Sequence, residues 1–326
     1  MTTTAPERST ETPAPSSTFY VHGIAVEARD VLVFDLRPAG GFVAAFEPGA
    51  HIDVELPNGF LRQYSLVNEP GIRDRYLICV KHDANSRGGS RFMHEQLRAG
   101  ARIDVRAVRN NFRLASEAAP TLLIAGGIGV TPIVAMAEQL AVDGRPAEVV
   151  YAVRSRHDLA FLGRLNEAAS RLTVHVDDEA GTVLDVDALI SATTDDTHLY
   201  CCGPAPMLDA FLASTARRPP QCVHLERFAA AAAPAITGGT FTVELARSGR
   251  LLSIAENESI LQALRTAGIT AASSCEEGIC GTCEVGVLSG TPDHRDGILS
   301  AAERQANRSM MICCSRSIGE RLVLDI

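Results

Sequence analysis

The sequence predicts a multidomain protein with three consecutive units: an antiparallel β-barrel, a doubly wound α/β unit and a small α+β unit. Three observations support this. Short β-type runs fill residues 18–115, strands alternate with helices over residues 116–228, and a cysteine-rich segment occupies residues 240–326. A length of 326 residues fits two or three domains of ordinary size.

The first unit contains runs of Val, Ile, Tyr and Phe at period two, for example "HIDVELPNGFLRQYSLV" and "RYLICVKH". Pro-Gly, Asn-Gly and Gly-Gly pairs separate these runs. Alternation with tight turns is typical of antiparallel strands, and roughly six of them predict a barrel. One helix is predicted over residues 90–97.

In the second unit, "TLLIAGGIGVTPIVAMAEQLAVDG" has the pattern of a buried strand, a glycine-rich turn and a helix ending at Gly144. "AEVVYAVRS", "LTVHVDDEA" and "HLYCCGPAPMLDAFLAST" repeat the order of strand, loop and helix. This alternation predicts a parallel sheet with crossover connections.

Two segments have the composition of irregular chain. Residues 1–17 are rich in Thr, Pro and Ser and lack an apolar core, which predicts a disordered tail and not a signal peptide. Residues 229–239, "AAAAAPAITGG", predict a linker. Beyond it we expect a hairpin, a helix ending at Gly268, the cysteine loop and a last strand, "RLVLDI".

Composition excludes several classes of function. A net charge of −9 argues against a nucleic-acid partner. The sequence contains no run of about 18 apolar residues, so no membrane-spanning helix is predicted. Nine cysteines without a signal peptide indicate a reducing, cytoplasmic compartment, in which thiols serve metals or catalysis more often than disulfides.

The stretch "SSCEEGICGTCEV" places Cys275, Cys280 and Cys283 at the spacing Cys-x4-Cys-x2-Cys. This is the plant-type spacing for a [2Fe–2S] cluster, with glycines that let the backbone turn around it. Zinc sites prefer paired Cys-x2-Cys, which this loop fits poorly. A fourth ligand is expected in "MMICCSRS", where Cys313 and Cys314 are adjacent. Alternation along a strand would admit only one of them, without deciding which.

Two stretches of the first unit predict a flavin-phosphate site. In "RQYS", alternation places Arg62 and Tyr64 on one strand face, where a guanidinium could grip a phosphate and a ring could lie against the flavin; Ser65 follows. In "VKHDANSRGGS", glycine N–H groups and a serine that would cap the next helix predict a second anion cradle. Its candidate residues are Val80, Lys81, Gly88, Gly89 and Ser90.

In the second unit, "AGGIGVTP" predicts a nicotinamide site. Its three glycines, Gly126, Gly127 and Gly129, permit close backbone approach to a pyrophosphate, and Thr131 with Pro132 predicts a helix N-cap and first residue. In "YCCGPAPM", three candidate residues end a strand at the carboxyl edge of the sheet, where ligands of such folds collect. They are Cys202, Gly203 and Pro204.

The segments "CEEGICGTC", "GTPDHRDGILSAAERQANRSMMICCSRS" and "LVLDI" closely resemble the β-grasp ferredoxin domain of the phthalate dioxygenase reductase and vanillate demethylase reductase family. The resemblance covers nearly the whole chain. It implies that Cys313 is the fourth cluster ligand, that the flavin is FMN (with FAD as the alternative), and that Ser65 approaches flavin N5. It also implies that Cys202 lies beside the nicotinamide, with Phe228 as a flavin shield and Glu226 nearby.

The choice between NADH and NADPH depends on charges after two strands. Arg154 and Arg156 could receive a 2′-phosphate, whereas Asp177 and Asp178 would repel it. The resembled family mostly uses NADH, so NADH is expected and NADPH is the alternative.

The resemblance implies a monomeric reductase that passes electrons from NADH through FMN and the cluster to a terminal oxygenase, most often of the Rieske type. One alternative partner is a cytochrome P450 or a di-iron oxygenase. An alternative of another class is a non-catalytic redox or metal-sensing module built on the cysteine loop.

Overall fold

A computed structural model describes residues 17–69, 71–84, 88–228, 236–299 and 301–326. The predicted tail lies outside the described residues except for Ser17, which begins the first strand. Of the predicted linker, residues 229–235 also lie outside them.

The first sheet has six antiparallel strands, as the sequence predicts. They are β1 (Ser17–Ala28), β2 (Val31–Pro38), β3 (His51–Glu55), β4 (Leu61–Ser65), β5 (Tyr76–Lys81) and β6 (Arg102–Arg109). Their order is β4-β3-β6-β1-β2-β5. A bridge between Leu66 and Ile78 links the chain after β4 to β5, so the two edges of the sheet meet at this point.

The helix of this unit, α1, spans Gly89–Glu95, so it begins one residue earlier and ends two residues earlier than the predicted range. Gly88 precedes it with φ +93°, a left-handed conformation that glycine adopts at little cost. Apolar side chains of β2, β3 and β5 alternate inward and form the core between the strands. Phe34, Ile52 and Ile78 are fully buried there.

The second sheet is parallel, with helices as crossover connections. Its elements are β7 (Thr121–Gly126), α2 (Val130–Val142), β8 (Glu148–Val153), α3 (Leu162–Ala168), β9 (Arg171–Val176), α4 (Asp177–Ala180), α5 (Val186–Ser191), β10 (His198–Cys202), α6 (Ala205–Thr215) and β11 (Val223–Glu226). The order β11-β10-β7-β8-β9 places β7 and β10 side by side at the centre. Their carboxyl ends, Gly126 and Cys202, therefore lie at the same edge.

The third unit is a mixed sheet with order β13-β12-β18-β14-β16 and a small pair, β15-β17. Its elements are β12 (Phe241–Leu245), β13 (Arg250–Ile254), α7 (Ile260–Thr266), β14 (Glu284–Ser289), β15 (Pro292–Asp293), α8 (Ala301–Ala306), β16 (Ser309–Met311), β17 (Arg316–Ser317) and β18 (Arg321–Leu324). The predicted hairpin is β12-β13, and the predicted last strand is β18.

A buried arginine fixes the chain that enters this third unit. Arg316 is only 1% exposed, and its guanidinium donates to backbone carbonyls on both sides of the β12-β13 hairpin. The acceptors are Ile236, Gly238, Gly239, Ala255 and Glu258. The same guanidinium lies 5.0 Å from the ring centre of Phe241. The described end of the predicted linker is thereby tied to the third sheet.

Within the described ranges, no helix is long and apolar enough to cross a membrane.

Candidate functional site

A cavity of about 720 Å³ lies where the three units meet. Residues from β3, β4 and β5, from the turn before α2, from the end of β11 and from the cysteine loop line it. Ten of the residues predicted from the sequence are among them: Arg62, Tyr64, Ser65, Val80, Lys81, Ser90, Thr131, Glu226, Phe228 and Cys275. Flavin, nicotinamide and cluster candidates from distant parts of the chain therefore share one space.

On β4, all three predicted residues face the cavity. The Tyr64 side chain is enclosed, and burial raises the pKa of its hydroxyl well above the ordinary value, so it stays protonated. The Ser65 hydroxyl is buried and has no hydrogen-bond partner among the described residues. The strand therefore presents a ring and a free hydroxyl to the cavity.

Arg62 extends from β4 toward the start of α1. Its guanidinium stacks on Phe60 at 4.7 Å, and Nη1 donates to the Leu61 carbonyl at 2.8 Å. A Cβ placed on Gly89 would lie 2.5 Å from Arg62 Nε, so a larger residue there would displace the Arg62 side chain. The two predicted anion-binding stretches are thus in direct contact.

The prediction that Ser90 caps α1 is wrong. Gly88 occupies the N-cap position and provides no side-chain cap. Ser90 lies inside the first turn, and its hydroxyl accepts from the Asp83 N–H at 3.3 Å. The glycine takes the cap position because the chain turns there through a left-handed conformation that a serine would adopt only with strain.

His51 and Glu226 face each other in the cavity, with Nδ1 and Oε1 3.8 Å apart. Burial raises the pKa of the Glu226 carboxyl to about 8 and lowers the pKa of the His51 imidazole to about 4. Both groups are therefore mainly neutral near pH 7, and Glu226 can hold a proton at its carboxyl oxygen.

Four buried polar atoms around the cavity have no hydrogen-bond partner among the described residues: His51 Nε2, Ser65 Oγ, Glu226 Oε2 and Arg227 Nη1. Buried polar groups are nearly always hydrogen-bonded, because an unmade bond costs about 1–3 kcal/mol. An isoalloxazine or nicotinamide ring carries carbonyl oxygens and ring nitrogens that complement these donors and acceptors. The cavity therefore fits a flavin and a nicotinamide.

The glycine-rich turn of the second unit packs against the chain after β10. A Cβ on Gly129 would lie 2.2 Å from the Cys202 carbonyl oxygen, and a Cβ on Gly126 would lie 2.6 Å from Pro204. Gly127, with φ +52°, has nothing within 4 Å of such a Cβ. Close packing thus leaves no room for a side chain at Gly126 and Gly129. Gly127 faces open space in which a pyrophosphate could bind.

The predicted cap pair of α2 is wrong. The helix begins at Val130 with Gly129 as its N-cap, so Thr131 and Pro132 lie inside the first turn. The Thr131 hydroxyl donates to the Ile128 carbonyl at 3.0 Å. A single 3-10 turn over Gly127–Gly129 starts the helical path earlier than the Thr-Pro pair suggests.

Cys202 and Gly203 are not among the residues that line the cavity. Cys202 pairs with Glu226 across β10 and β11, and burial raises the pKa of its thiol well above the ordinary value. A Cβ on Gly203 would lie 2.7 Å from the Met207 sulfur. Their place beside a nicotinamide stays a prediction.

The charges thought to decide between NADH and NADPH are partly paired. Arg156 donates to both carboxylate oxygens of Glu179 at 2.6 and 2.7 Å. The Arg154 carbonyl accepts from the Asp178 N–H at 3.1 Å, and Asp177 Oδ1 lies 3.4 Å from His175 Nε2.

The thiols of the cysteine loop form two contacting pairs. Cys275 hydrogen-bonds with Cys280, and Cys283 with Cys313. A [2Fe–2S] cluster with four cysteine ligands binds two thiolates to each iron, so two pairs suit it. Across the described residues, no three His, Cys, Asp or Glu side chains form a group that could hold a single metal ion.

Of the adjacent pair, only Cys313 contacts a predicted ligand outside the pair. The Cys313 sulfur hydrogen-bonds with Cys283 and with Cys314. The Cys314 thiol also lies 3.8 Å from the Met311 carbonyl oxygen, and its contact among the predicted ligands is Cys313. The argument from strand alternation is wrong, because both residues follow β16 in a turn. Cys313 as the fourth ligand stays a prediction.

The cavity also contains residues that the sequence reasoning missed, including His51, Gln63, Asn111 and Arg227. The Asn58-Gly59 turn between β3 and β4 could have revealed His51. Pairing the residues of the two strands outward from this turn places His51 opposite Ser65. No sequence motif indicated Asn111 or Arg227, since only the packing of the chain after β6 and after β11 brings them to the cavity.

Two family models match the chain. The model described as "2Fe-2S iron-sulfur cluster binding domain" matches residues 243–317. The model described as "Oxidoreductase NAD-binding domain" matches residues 123–212. The fold, the thiol pairs and the shared cavity thus define an iron–sulfur oxidoreductase.

Two curated proteins similar to this chain are named as components of a dioxygenase and of a demethylase. Phenoxybenzoate dioxygenase subunit beta of Ectopseudomonas oleovorans is 48% identical over 94% of this chain and 96% of its own length. Vanillate O-demethylase oxidoreductase of Pseudomonas putida is 45% identical over 92% of this chain and 96% of its own length.

Two solved structures are similar over nearly the whole chain. Phthalate dioxygenase reductase, described as a modular structure for electron transfer from pyridine nucleotides to [2Fe–2S], matches with a TM-score of 0.70 and 37% identity. That match covers 95% of this chain and 98% of that one. An intact type IV self-sufficient cytochrome P450 monooxygenase matches with a TM-score of 0.87 and 39% identity. It covers 98% of this chain but 43% of that one, so this chain spans less than half of the fused protein.

The chain belongs to the oxygenase reductase family that includes phthalate dioxygenase reductase and vanillate O-demethylase oxidoreductase. The predicted resemblance, the oxidoreductase class and the multidomain fold with NAD-binding and [2Fe–2S] domains are confirmed.

Proposed function

We propose that this protein is the reductase component that carries electrons from NADH through FMN and a [2Fe–2S] cluster to a Rieske-type terminal oxygenase. The observation that carries the proposal is the single cavity lined by the flavin strand, the end of the NAD-binding unit and Cys275. The bound flavin supplies the conversion from a two-electron donor to a one-electron acceptor, and the protein supplies position and electrostatics.

The residues of the chain divide this work. Arg62, next to the start of α1, would hold the flavin phosphate together with the N–H groups near Gly88 and Gly89. The flavin ring and its side chain would be surrounded by Tyr64, Ser65, Val80, Lys81 and Ser90. Phe228, which is 44% exposed, would cover the ring. Glu226 would hold a proton close to the reacting atoms.

The nicotinamide cofactor would cross the glycine-rich turn. Gly127 would leave room for the pyrophosphate, while Gly126, Gly129 and Gly203 keep the two turns packed. The pairing of Arg156 with Glu179 removes a guanidinium that a 2′-phosphate would need, which supports NADH over NADPH.

The division into a barrel at 18–115, an NAD-binding unit at 116–228 and a β-grasp ferredoxin unit at 240–326 is part of the proposal. The sheet orders support it, because none of the three main sheets shares a strand with another. The reductase itself is proposed to be a monomer, which light scattering of the purified protein would test.

The decisive experiment is an anaerobic NADH titration followed by absorbance and EPR. Bleaching of a flavin band together with the rhombic or axial signal of a reduced [2Fe–2S] cluster is expected. A protein that binds no flavin, or whose cluster stays oxidised with excess NADH, contradicts the proposal and supports the metal-sensing alternative.

A second candidate is a reductase that serves a cytochrome P450, because this chain is 39% identical to part of a self-sufficient P450 monooxygenase with a TM-score of 0.87. Turnover assays with separately purified oxygenases distinguish the two. Coupled NADH oxidation with a Rieske oxygenase and none with a P450 supports the first candidate, and the reverse supports the second.

A further inference from the structure

The side chain of Gln63 connects the flavin strand to the cysteine loop. Gln63 lies on β4 between two flavin candidates, and its amide nitrogen Nε2 donates to two acceptors. One is Asp53 Oδ1 at 2.8 Å, on the neighbouring strand β3. The other is Thr282 Oγ1 at 3.4 Å, 219 residues away in sequence and inside the cysteine loop. Both hydrogens of one amide nitrogen are thus used, one on each side.

Asp53 fixes the orientation of this amide. The Asp53 carboxylate is only 1% exposed, and its second oxygen, Oδ2, pairs with Arg109. An ionised carboxylate only accepts hydrogen bonds, so Gln63 must turn its NH2 group and not its carbonyl toward Asp53. The amide nitrogen that reaches Thr282 is therefore held by a buried ion pair.

Thr282 continues the connection to the predicted cluster ligand Cys280. Thr282 lies between Cys280 and Cys283, is 9% exposed, and its hydroxyl oxygen lies 3.3 Å from Cys280 Sγ. A thiolate bound to iron has no hydrogen and can only accept. The Thr282 O–H would then donate to the Cys280 sulfur, while the Thr282 oxygen accepts from Gln63.

The residue before Thr282 also lies near the first unit. A Cβ placed on Gly281 would lie 3.9 Å from Asn111 Nδ2, which follows β6. Gly281 and Thr282 are neighbours, so both of these loop residues lie beside the first unit.

We propose that Gln63 is a positioning residue for electron transfer from the flavin to the cluster. It holds the cysteine loop against the flavin strand, and through Thr282 it strengthens a hydrogen bond to the Cys280 sulfur. Hydrogen bonds to cluster sulfurs stabilise the reduced, more negative state and so raise the reduction potential. The step itself moves one electron, which comes from NADH, from the reduced flavin to the cluster. No bond forms or breaks. This inference rests on the proposed function.

The test uses the full-length protein with its cofactors, the three single variants Gln63→Leu, Thr282→Val and Thr282→Ser, and the double variant of Gln63→Leu with Thr282→Val. In an EPR-monitored redox titration, Thr282→Val is expected to lower the ratio of reduced to oxidised cluster at a fixed potential about tenfold, a shift of about −59 mV for one electron. Thr282→Ser keeps the hydroxyl and is expected to keep the wild-type potential. Gln63→Leu is expected to shift the potential in the same direction as Thr282→Val, and the double variant no further than Thr282→Val alone.

Stopped-flow absorbance separates the two electron-transfer steps. In Gln63→Leu, cluster reduction is expected to slow about tenfold because the loop is no longer held in position against the flavin strand, while flavin bleaching by NADH keeps its rate within about twofold. The control is Thr266→Val, which removes an exposed threonine hydroxyl at the end of α7 and should change neither the potential nor the rate.

The outcomes distinguish this inference from the proposed function. Absence of a reduced-cluster signal in the wild-type protein overturns the function and the inference with it. A normal wild-type signal with unchanged potential and unchanged cluster reduction in Gln63→Leu overturns the inference alone. If Gln63→Leu does not fold, equal potentials in Thr282→Val and Thr282→Ser overturn it.

Discussion

At the scale of single residues, burial keeps the Glu226 carboxyl group protonated at neutral pH. Its folded pKa of about 8 lies above the ordinary value of 4.5. Between these values the unfolded chain has lost the proton and the folded chain keeps it, so stability falls as pH rises through this window. His51 acts in the opposite sense: its pKa falls from 6.5 to about 4, so its contribution rises with pH between these values.

We predict that Glu226→Gln removes the loss of stability that Glu226 causes as the pH rises from 4.5 to about 8. The unfolding temperatures of the variant and the wild-type protein should lie close together near pH 5 and diverge by roughly 5 °C in favour of the variant by pH 8. Differential scanning calorimetry at several pH values measures this. Glu95→Gln, which changes a largely exposed carboxylate, is the control; parallel curves for all three proteins would contradict the burial argument.

Nucleotide choice belongs to the same scale. Glu179 binds Arg156 through both carboxylate oxygens where the chains leave β8 and β9. We predict that Glu179→Ala frees the guanidinium for a 2′-phosphate and raises kcat/KM for NADPH about tenfold. The value for NADH should change by less than about twofold.

Steady-state kinetics with both nucleotides checks this prediction. Glu148→Ala is a matched control, since it frees Arg171 in an equally exposed pair at the opposite ends of β8 and β9. An equal gain for NADPH in the two variants would point to net charge and not to Arg156.

At the scale of elements, the cysteine loop owes its shape to neighbours that are distant in sequence. Gly278 has φ +72°, and a Cβ on it would lie 2.5 Å from Cys314 Sγ and 3.0 Å from Asp296 Cα. Asp296 in turn accepts from the Leu299 N–H at 2.8 Å, so the loop behind the thiols cannot move away freely. Cys314 therefore supports the ligand loop from behind.

We predict that Gly278→Ala loses most of the cluster, because the added methyl group displaces the ligand loop. The iron content per chain and the visible absorbance of the purified protein measure this. Gly249→Ala is the control: Gly249 has φ +68° but nothing within 4 Å, so it feels only the backbone strain of about 1 kcal/mol. Similar cluster loss in both variants would show that strain, and not contact with Cys314, is the cause.

At the scale of the whole molecule, the net charge of −9 favours docking to a basic surface. We predict that NADH-dependent reduction of cytochrome c, a basic protein, slows several-fold as NaCl rises from about 0.05 to 0.5 M, because salt screens the attraction. NADH oxidation with ferricyanide, a small anion, should not slow. A salt-independent rate with cytochrome c would exclude electrostatic steering.

Sequence and structure agree best where a signal is local. The six strands of the first sheet follow from period-two alternation and turn residues, and the Cys-x4-Cys-x2-Cys spacing already indicated the cluster domain that the family model matches. The errors concern element ends. Ser90, Thr131 and the strand assumed for Cys313 and Cys314 were wrong, because neighbouring glycines and turns fix those ends through backbone angles that composition does not reveal.

The sequence by itself determined the class of this protein, since cofactor motifs consist of residues only a few positions apart. Only the tertiary structure decided how the motifs meet. The cavity that Tyr64, Glu226 and Cys275 share, and the hydrogen bond from Gln63 to Thr282, join residues separated by most of the chain. Such contacts depend on how whole sheets pack, and packing of this range leaves no periodic or spaced pattern in a single sequence.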